Sequence, residues 1–327
     1  MSSSKRMIPA LVCCIMAAGL LSAQDKKEPP PVTASQPIKL SAYGQFLATF
    51  WDEGVDNFSA RRARLSLSGN VLKNVLFKVQ ADVARSPILL DALVEFGFSK
   101  EASLRIGQFQ VPFSMENLTP TSDLDTINRS QPEEKLCPGR DNGSQGRDVG
   151  LMALGKYSIV EYSLGIFNGS GTNKADTNSH KDLGARVVLR PHESLSVGAS
   201  LWDGKQDITL STGLAARDRF GLDFAFVRDR ISIKGEYIRA KDDKTSKYGW
   251  YLQGGYTILP KKLQAIAKYD TLDKNRSLAQ DRVNLWTLGI NWFLSAKTKL
   301  QVNYEIYTLE SGKRDNSALL AQFQAGF

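Results

Sequence analysis

From Ile38 to Phe327 apolar and polar residues alternate with period two, interrupted at intervals by short polar segments. That period places successive side chains on opposite faces of an extended strand. In the second such segment Ala63, Leu65, Leu67, Gly69 and Val71 share one face, and Arg62, Arg64, Ser66, Ser68 and Asn70 share the other. In the third, Val75, Phe77, Val79, Ala81 and Val83 oppose Lys78, Gln80 and Asp82. The pattern predicts sixteen strands, at 38–51, 58–72, 75–84, 89–99, 102–110, 147–156, 159–168, 182–190, 195–203, 219–228, 231–241, 248–257, 263–272, 281–293, 299–309 and 317–327. Most are close to the length a tilted strand needs to cross a bilayer.

The connections alternate between short and long. Strands two and three meet at Lys73-Asn74, six and seven at Tyr157-Ser158, ten and eleven at Asp229-Arg230. Between these lie polar loops such as 169–181, 204–218 and 242–247. Short turns at one end and longer loops at the other are the habit of outer-membrane barrels, and a soluble β-sandwich gives no reason for it. The polar faces also carry charge: Arg62, Arg64, Lys78, Arg105, Arg186, Arg190, Lys234 and Lys268, with Asp82, Asp91, Glu95, Glu161, Asp223 and Glu236 among them. A packed interior tolerates such residues only when paired, whereas a water-filled lumen accepts them. The expected fold is therefore all-β, a sixteen-stranded antiparallel transmembrane β-barrel with its apolar face in lipid. Aromatic residues near strand ends, such as Trp51, Tyr157, Tyr256 and Trp292, suit the headgroup level. The segment Val111 to Gly146 is far longer than the rest. It is read as an irregular third external loop folded inward to narrow the channel, with no helix expected along the chain.

The N-terminus changes the compartment. Lys5 and Arg6 precede an apolar run from Ile8 to Leu21, and Leu21-Ser22-Ala23 offers a cleavage end. Residues 1–23 are expected to be a cleaved signal peptide; the run is short for an anchor helix. Residues 24–37, polar and proline-rich, are expected to be a flexible periplasmic lead-in, and 38–327 the barrel. Cleavage leaves one cysteine, Cys137, so no internal disulfide is expected. Net charge is +8, or about +6 once Lys5 and Arg6 are removed. The scattered basic residues and the export signal argue against nucleic acid as a partner. Outer-membrane lipid is the expected surrounding.

The two histidines, His180 and His192, fall in a loop and a short turn with no serine-and-acid setting. No enzymatic activity, cofactor or metal site is expected. Asp123 and Asp125 could hold calcium only loosely, and their spacing alone is a weak signal. An adhesive barrel would display many large loops, and only one is present.

At Arg61-Arg62-Ala63-Arg64-Leu65 the sequence resembles the phosphate-selective porin O and P family. The resemblance continues through Phe77-Lys78-Val79-Gln80-Ala81-Asp82, Leu90-Asp91-Ala92 and Leu104-Arg105-Ile106-Gly107-Gln108-Phe109. It extends to Val111-Pro112-Phe113-Ser114-Met115-Glu116-Asn117-Leu118, Asp125-Thr126-Ile127-Asn128-Arg129 and Arg147-Asp148-Val149-Gly150. The terminal Phe327 is similar to the closing aromatic of outer-membrane barrels. The resemblance implies a trimeric porin with an arginine-lined route, passing small anions such as phosphate or polyphosphate by passive diffusion. A weakly selective general porin shares every architectural feature and stays open as the alternative.

The candidate pore residues are Arg62, Arg64, Lys78, Asp91, Arg105 and Arg129. Guanidinium suits phosphate because it is planar, always charged and offers parallel N–H donors. Arg62 and Arg64 would stand about 7 Å apart on one face, a spacing that hands an ion along. Lys78 and Arg105 would extend the track, Arg129 would face it from the loop, and Asp91 would weaken the site enough to release the ion. The other reading pairs basic and acidic rows across the lumen simply to stiffen the wall. Arg61 has outward parity, and its face is left open between wall and rim.

Overall fold

β-Branched and aromatic residues on alternate positions, with turn residues between, give strands that each pair with their successors. The computed structural model describes residues 37–207 and 213–327. The expected signal peptide and all but Pro37 of the lead-in lie outside the described residues. Sixteen strands form the wall: β1 Lys39–Trp51, β2 Asn57–Leu72, β3 Val75–Asp82, β4 Leu89–Gly97, β5 Ser103–Gln110, β6 Arg147–Tyr157, β7 Val160–Phe167 and β8 Asp182–His192. They continue as β9 Leu195–Asp203, β10 Leu214–Arg228, β11 Ile231–Asp242, β12 Thr245–Leu259, β13 Leu263–Asp273, β14 Val283–Phe293, β15 Lys299–Leu309 and β16 Arg314–Gly326. Every neighbouring pair is antiparallel, and β16 returns to β1, from Tyr43 opposite Gly326 to Trp51 opposite Ala318. Closure leaves no unpaired strand edge, which a bilayer would penalise.

The faces are inverted relative to a soluble protein. Arg186, Asp223, Lys268 and Glu305 are buried, while Leu164, Leu201, Leu288 and Trp292 are each at least half exposed. Apolar side chains outward and polar side chains inward is the arrangement that lipid outside and polar contents inside require.

Tight turns stand where expected at Lys73-Asn74 and Asp229-Arg230; the β6–β7 turn falls at Ser158-Ile159, one residue along. Ser158 and Asp229 take positive φ, as two-residue hairpins demand. Two expected loops are corrected. The 242–247 loop is a two-residue turn at Asp243-Lys244, because the strands continue into it with Asp242 opposite Thr245. The 204–218 loop is shortened likewise: after Gly204 the chain resumes as a strand, Lys205–Asp207, paired with Leu214–Ala216. Hydrophilic composition there reflected water outside the bilayer, not irregular backbone.

The absence of helix is also corrected. The 111–146 segment holds two short helices, Met115–Leu118 and Gln131–Leu136, with a 3-10 turn at Thr121–Asp123 between them. Each helix has a serine cap. Ser114 accepts from the Asn117 amide, and Ser130 accepts from the Glu133 amide. The Ser130-x-x-Glu133 spacing is the residue pattern of a capping box.

Candidate functional site

The 111–146 segment touches the wall through buried polar side chains, and it does so asymmetrically. On β11, Glu236 accepts from Ser114 Oγ (2.7 Å), Met115 N (3.0 Å) and Glu116 N (2.6 Å). Also on β11, Lys234 pairs with Asp125 at 2.6 Å. On β13, Lys268 donates to Thr126 Oγ1 and the Asn128 carbonyl. On β15, Asn303 accepts from Ile127 N at 2.7 Å and Glu305 accepts from Asn128 Nδ2 at 2.9 Å. On β10, Arg217 and Arg219 share Asp141. These contacts secure the segment to β10–β15. Against β1–β3 its contacts are few, and there the basic side chains gather.

Arg62 and Arg64 are 8% and 6% exposed. Arg64 pairs with Asp82 on β3 at 3.0 Å and donates to Thr121 Oγ1 and Gln145 Oε1. Arg62 donates to Gln45 Oε1 at 2.8 Å, and its Nε has no hydrogen-bond partner. The open question about Arg61 is answered by the register. Gln45 opposes Arg62 but Phe46 opposes Ala60, so Arg61 is the extra residue of a β-bulge. Its guanidinium reaches Asn128 Oδ1 at 2.6 Å and the buried Gln322 Oε1 at 3.3 Å. Among the described residues no carboxylate lies within ion-pair distance of Arg61 or Arg62. Their partners are amides, which accept a hydrogen bond without cancelling the charge. Arg85 joins the group through a bond from its Nε to the Arg61 carbonyl at 3.0 Å.

Arg64 and Lys78 line one cavity of about 390 Å³ with Arg147, the first residue of β6. Asp91 is held between two cations, Arg147 Nε at 2.6 Å and Lys78 Nζ at 2.7 Å. A second cavity of about 420 Å³ is lined by Arg61, Arg85, Asn128 and Glu305. The basic side chains around Arg62 therefore border open space on both sides.

The structure brings Arg62, Arg64, Lys78 and Asp91 together. It does not bring Arg105 or Arg129 to them. Arg105 is paired with Glu95 on β4 at 2.6 Å. Arg129 is turned into its own loop, donating to the Glu116 and Thr119 carbonyls. Burial lowers its pKa to about 10, with Arg140 adding to the effect. Arg186 with Asp223 and Arg190 with Glu161 are wall pairs of the stiffening kind. Arg85 and Arg147, which join this group, were not among the expected pore residues, and the face of Arg61 had been left open. For Arg147 the sequence signals were its position directly after the long segment and its place in the run Arg147-Asp148-Val149-Gly150.

One loop carboxyl titrates near neutrality. Glu133 is fully buried, and burial raises its pKa to about 7; Arg140 opposes the shift and Glu116 adds to it. Arg140 Nε lies 2.9 Å from Glu133 Oε1. An unfolded glutamate ionises near 4.5, so between about 4.5 and 7 the folded loop holds a proton that the unfolded loop has released. Stability of this segment therefore falls as pH rises through that window. Limited proteolysis at Lys135 and Arg140 should proceed faster at pH 8 than at pH 5.5. Glu133→Gln should flatten the dependence, and an unchanged slope in that variant would show that another group is responsible.

Comparison with known proteins places this geometry. The model of the family described as phosphate-selective porin O and P matches residues 41–213 and 202–324. An uncharacterized protein of Aquifex aeolicus (strain VF5) is 24% identical over 266 residues, covering 68% of this chain and 63% of that relative. The alignment thus spans less than two thirds of that relative's length. Among solved structures, an anion-selective porin from Comamonas acidovorans superposes with a TM-score of 0.69 at 14% identity, covering 89% of this chain and 99% of the other. The outer membrane channel DcaP of Acinetobacter baumannii gives 0.65 at 15% identity, covering 88% and 97%. Salmonella typhi OmpF gives 0.68 at 8% identity, covering 89% and 97%. At such identities the structures speak for the fold, and the family match speaks for descent. From its first wall strand to its last, the chain belongs to the phosphate-selective porin O and P family.

Proposed function

We propose that this outer-membrane porin passes small anions, phosphate or polyphosphate in particular, by passive diffusion along the β1–β3 wall. In this reading the 111–146 segment lies folded into the lumen and forms the constriction. Arg62 and Arg64 are the contact residues for the ion, Lys78 extends their field, and Arg61, Arg85 and Arg147 complete it. Arg105 and Arg129 serve structure. The observation that carries the proposal is the set of six basic side chains, Arg61, Arg62, Arg64, Lys78, Arg85 and Arg147, gathered about three carboxylates, Asp82, Asp91 and, in the cavity beside Arg61 and Arg85, Glu305. A narrow passage with low-dielectric walls concentrates such a field. The solved porin from Comamonas acidovorans is anion-selective by its own description. Export by a signal peptide over 1–23 belongs to the proposal. So does assembly as a trimer, a form also described for a structurally similar Vibrio cholerae protein.

The test is reconstitution of the purified protein in planar bilayers, with reversal potential read in a chloride gradient and phosphate then added in steps. Anion selectivity with saturable block is expected. Large conductance without selectivity or block would leave a general porin, and folded protein without conductance would end the transport reading.

Asp91 sets how strongly the ion is held. Its charge is shared by Lys78 and Arg147, so Asp91→Asn releases both cations toward the passage. Charge-assisted hydrogen bonds contribute about 1.5–3 kcal/mol each, so the phosphate concentration giving half block should fall by about tenfold or more. If conductance and block both stay as in the parent, Asp91 does not tune the site.

A further inference from the structure

The cavity of about 420 Å³ beside Arg61 and Arg85 has a second wall of unlike chemistry. Trp51 and Tyr307 line it, with Leu47 and Leu320. Trp51 suits the headgroup level by its place at a strand end, yet it points into the lumen, on the same face of β1 as the buried Gln45 and Thr49. Its ring lies 6.1 Å from that of Tyr307, centroid to centroid, with a tilt of 33°. Tyr307 donates its hydroxyl to Glu305 Oε2 at 2.9 Å, and Glu305 Oε1 accepts from Asn128. The polar tip of Tyr307 is thereby occupied, and what remains for the cavity is ring. Glu305, the one carboxylate among the lining residues, is 1% exposed. Loop packing explains Leu320 and Ala318, which close on Ile127. Trp51 touches the same cluster but stays half-exposed, as Tyr307 does, and both rings border open space.

Inorganic phosphate is strongly hydrated and has no apolar surface to cover, so an aromatic wall does nothing for it. The basic wall does. Arg85 is exposed, and its Nε is used on the Arg61 carbonyl. Among the described residues its two terminal nitrogens have no acceptor. A guanidinium with free N–H groups takes phosphate oxygens in parallel. An anion that uses both walls needs a phosphate at one end and a flat apolar body at the other. We propose that this cavity is a binding site for phosphate monoesters carried on a planar ring. The phosphate rests on Arg85 and Arg61, and the ring lies against Trp51 and Tyr307. The site stands at the external end of the passage, because β1 ends at Trp51 and the first external connection follows it. It rests on the passage along β1–β3 proposed above and extends its cargo from inorganic to ring-bearing phosphate. A cavity that is mostly apolar with a few convergent polar groups is the common form of a small-molecule site.

The test reads block of the chloride current through the full barrel in planar bilayers. The probes are orthophosphate, methyl phosphate and phenyl phosphate, with benzyl alcohol as the uncharged ring. Phenyl phosphate should reach half block at about tenfold lower concentration than methyl phosphate, the effect of one aromatic contact. Benzyl alcohol should not block. Trp51→Leu should bring the two esters together by raising the phenyl phosphate concentration about tenfold. Trp51 is the residue to change, because Tyr307 also satisfies the buried Glu305. The comparison of the two esters in the parent decides the matter even where the variant does not fold. Equal block by the two esters, beside block by orthophosphate, would overturn this site and leave the passage. Block by benzyl alcohol as strong as by phenyl phosphate would show an apolar patch without anion recognition and overturn the site too. Block by none of the probes would overturn the passage and the site together.

Discussion

Replacing Arg61 and Arg62 together by glutamine should raise the phosphate concentration for half block by at least about a hundredfold, at about 1.5–3 kcal/mol for each charge-assisted contact removed. The two guanidiniums stand out within the basic group because of what holds them. Arg64 is balanced by Asp82, and Lys78 and Arg147 share Asp91. Arg61 and Arg62 rest on Gln322, Asn128 and Gln45. Gln45 and Gln322 belong to neutral amide pairs and chains: Gln45 donates to Gln324, and Gln322 donates to Gln301, which donates to Asn291; Asn128 donates to Glu305. Amide partners fix the two arginines in place without forming an ion pair with either. The Arg62 Nε is a buried donor that no protein acceptor satisfies. Glutamine keeps polar contact with these amides, so the double variant should fold and still shift on heating in a denaturing gel. The reversal potential in a chloride gradient should move close to zero. Arg105→Gln is the control, since its partner is Glu95 and it lies away from both cavities; its block should match the parent. A double variant that still blocks at the parental phosphate concentration would remove Arg61 and Arg62 from the passage.

Strand number and most of the wall parity were legible in the chain, because period-two alternation fixes faces locally. Where register departs from that period, local reading fails. Arg61 was given outward parity because its neighbours alternate, and the bulge that turns it inward depends on how β2 pairs with Gln45 and Phe46. The roles of Arg129 and Arg147 depend on contacts across the fold. Both are arginines beside the same loop, yet Arg129 closes on its own backbone while Arg147 reaches Asp91, 56 residues away in sequence. The two helices of the long segment carried a local signal, serine caps at Ser114 and Ser130, hidden by reading the segment through its length alone. The 242–247 connection looked like a loop because its residues are polar, but polarity marks solvent and not backbone conformation.

Glu236→Leu should open the channel, with single-channel conductance rising and anion selectivity falling together. Glu236 collects three donors from the start of the long segment, Ser114 Oγ, Met115 N and Glu116 N, and a fourth from Tyr251 on the wall at 2.9 Å. Among the described residues no other wall residue takes as many bonds from residues 114–116. Leucine fills a similar volume but accepts none of them. Each buried donor left without an acceptor costs about 1–3 kcal/mol, so the docked arrangement loses several kcal/mol against one in which these groups reach water. Lys234 to Asp125 and Asn303 to Ile127 hold the middle of the segment, while the helix Met115–Leu118 and its cap keep two single wall bonds, Gln110 Nε2 to the Asn117 carbonyl (2.6 Å) and Ser114 N to Ser200 Oγ (3.3 Å). The N-terminal part should therefore come free first. Protease should then cut between Val111 and Leu118 in the variant and not in the parent. The wall itself should stay intact, because β11 keeps all its backbone pairing with β10 and β12. Glu236→Gln separates charge from geometry: its carbonyl oxygen replaces one of the two acceptors, so its conductance should fall between parent and Leu variant. If the Leu variant is cut between Val111 and Leu118 yet conducts as the parent does, the segment is not the constriction. In that case the limiting width lies on the β1–β3 side alone.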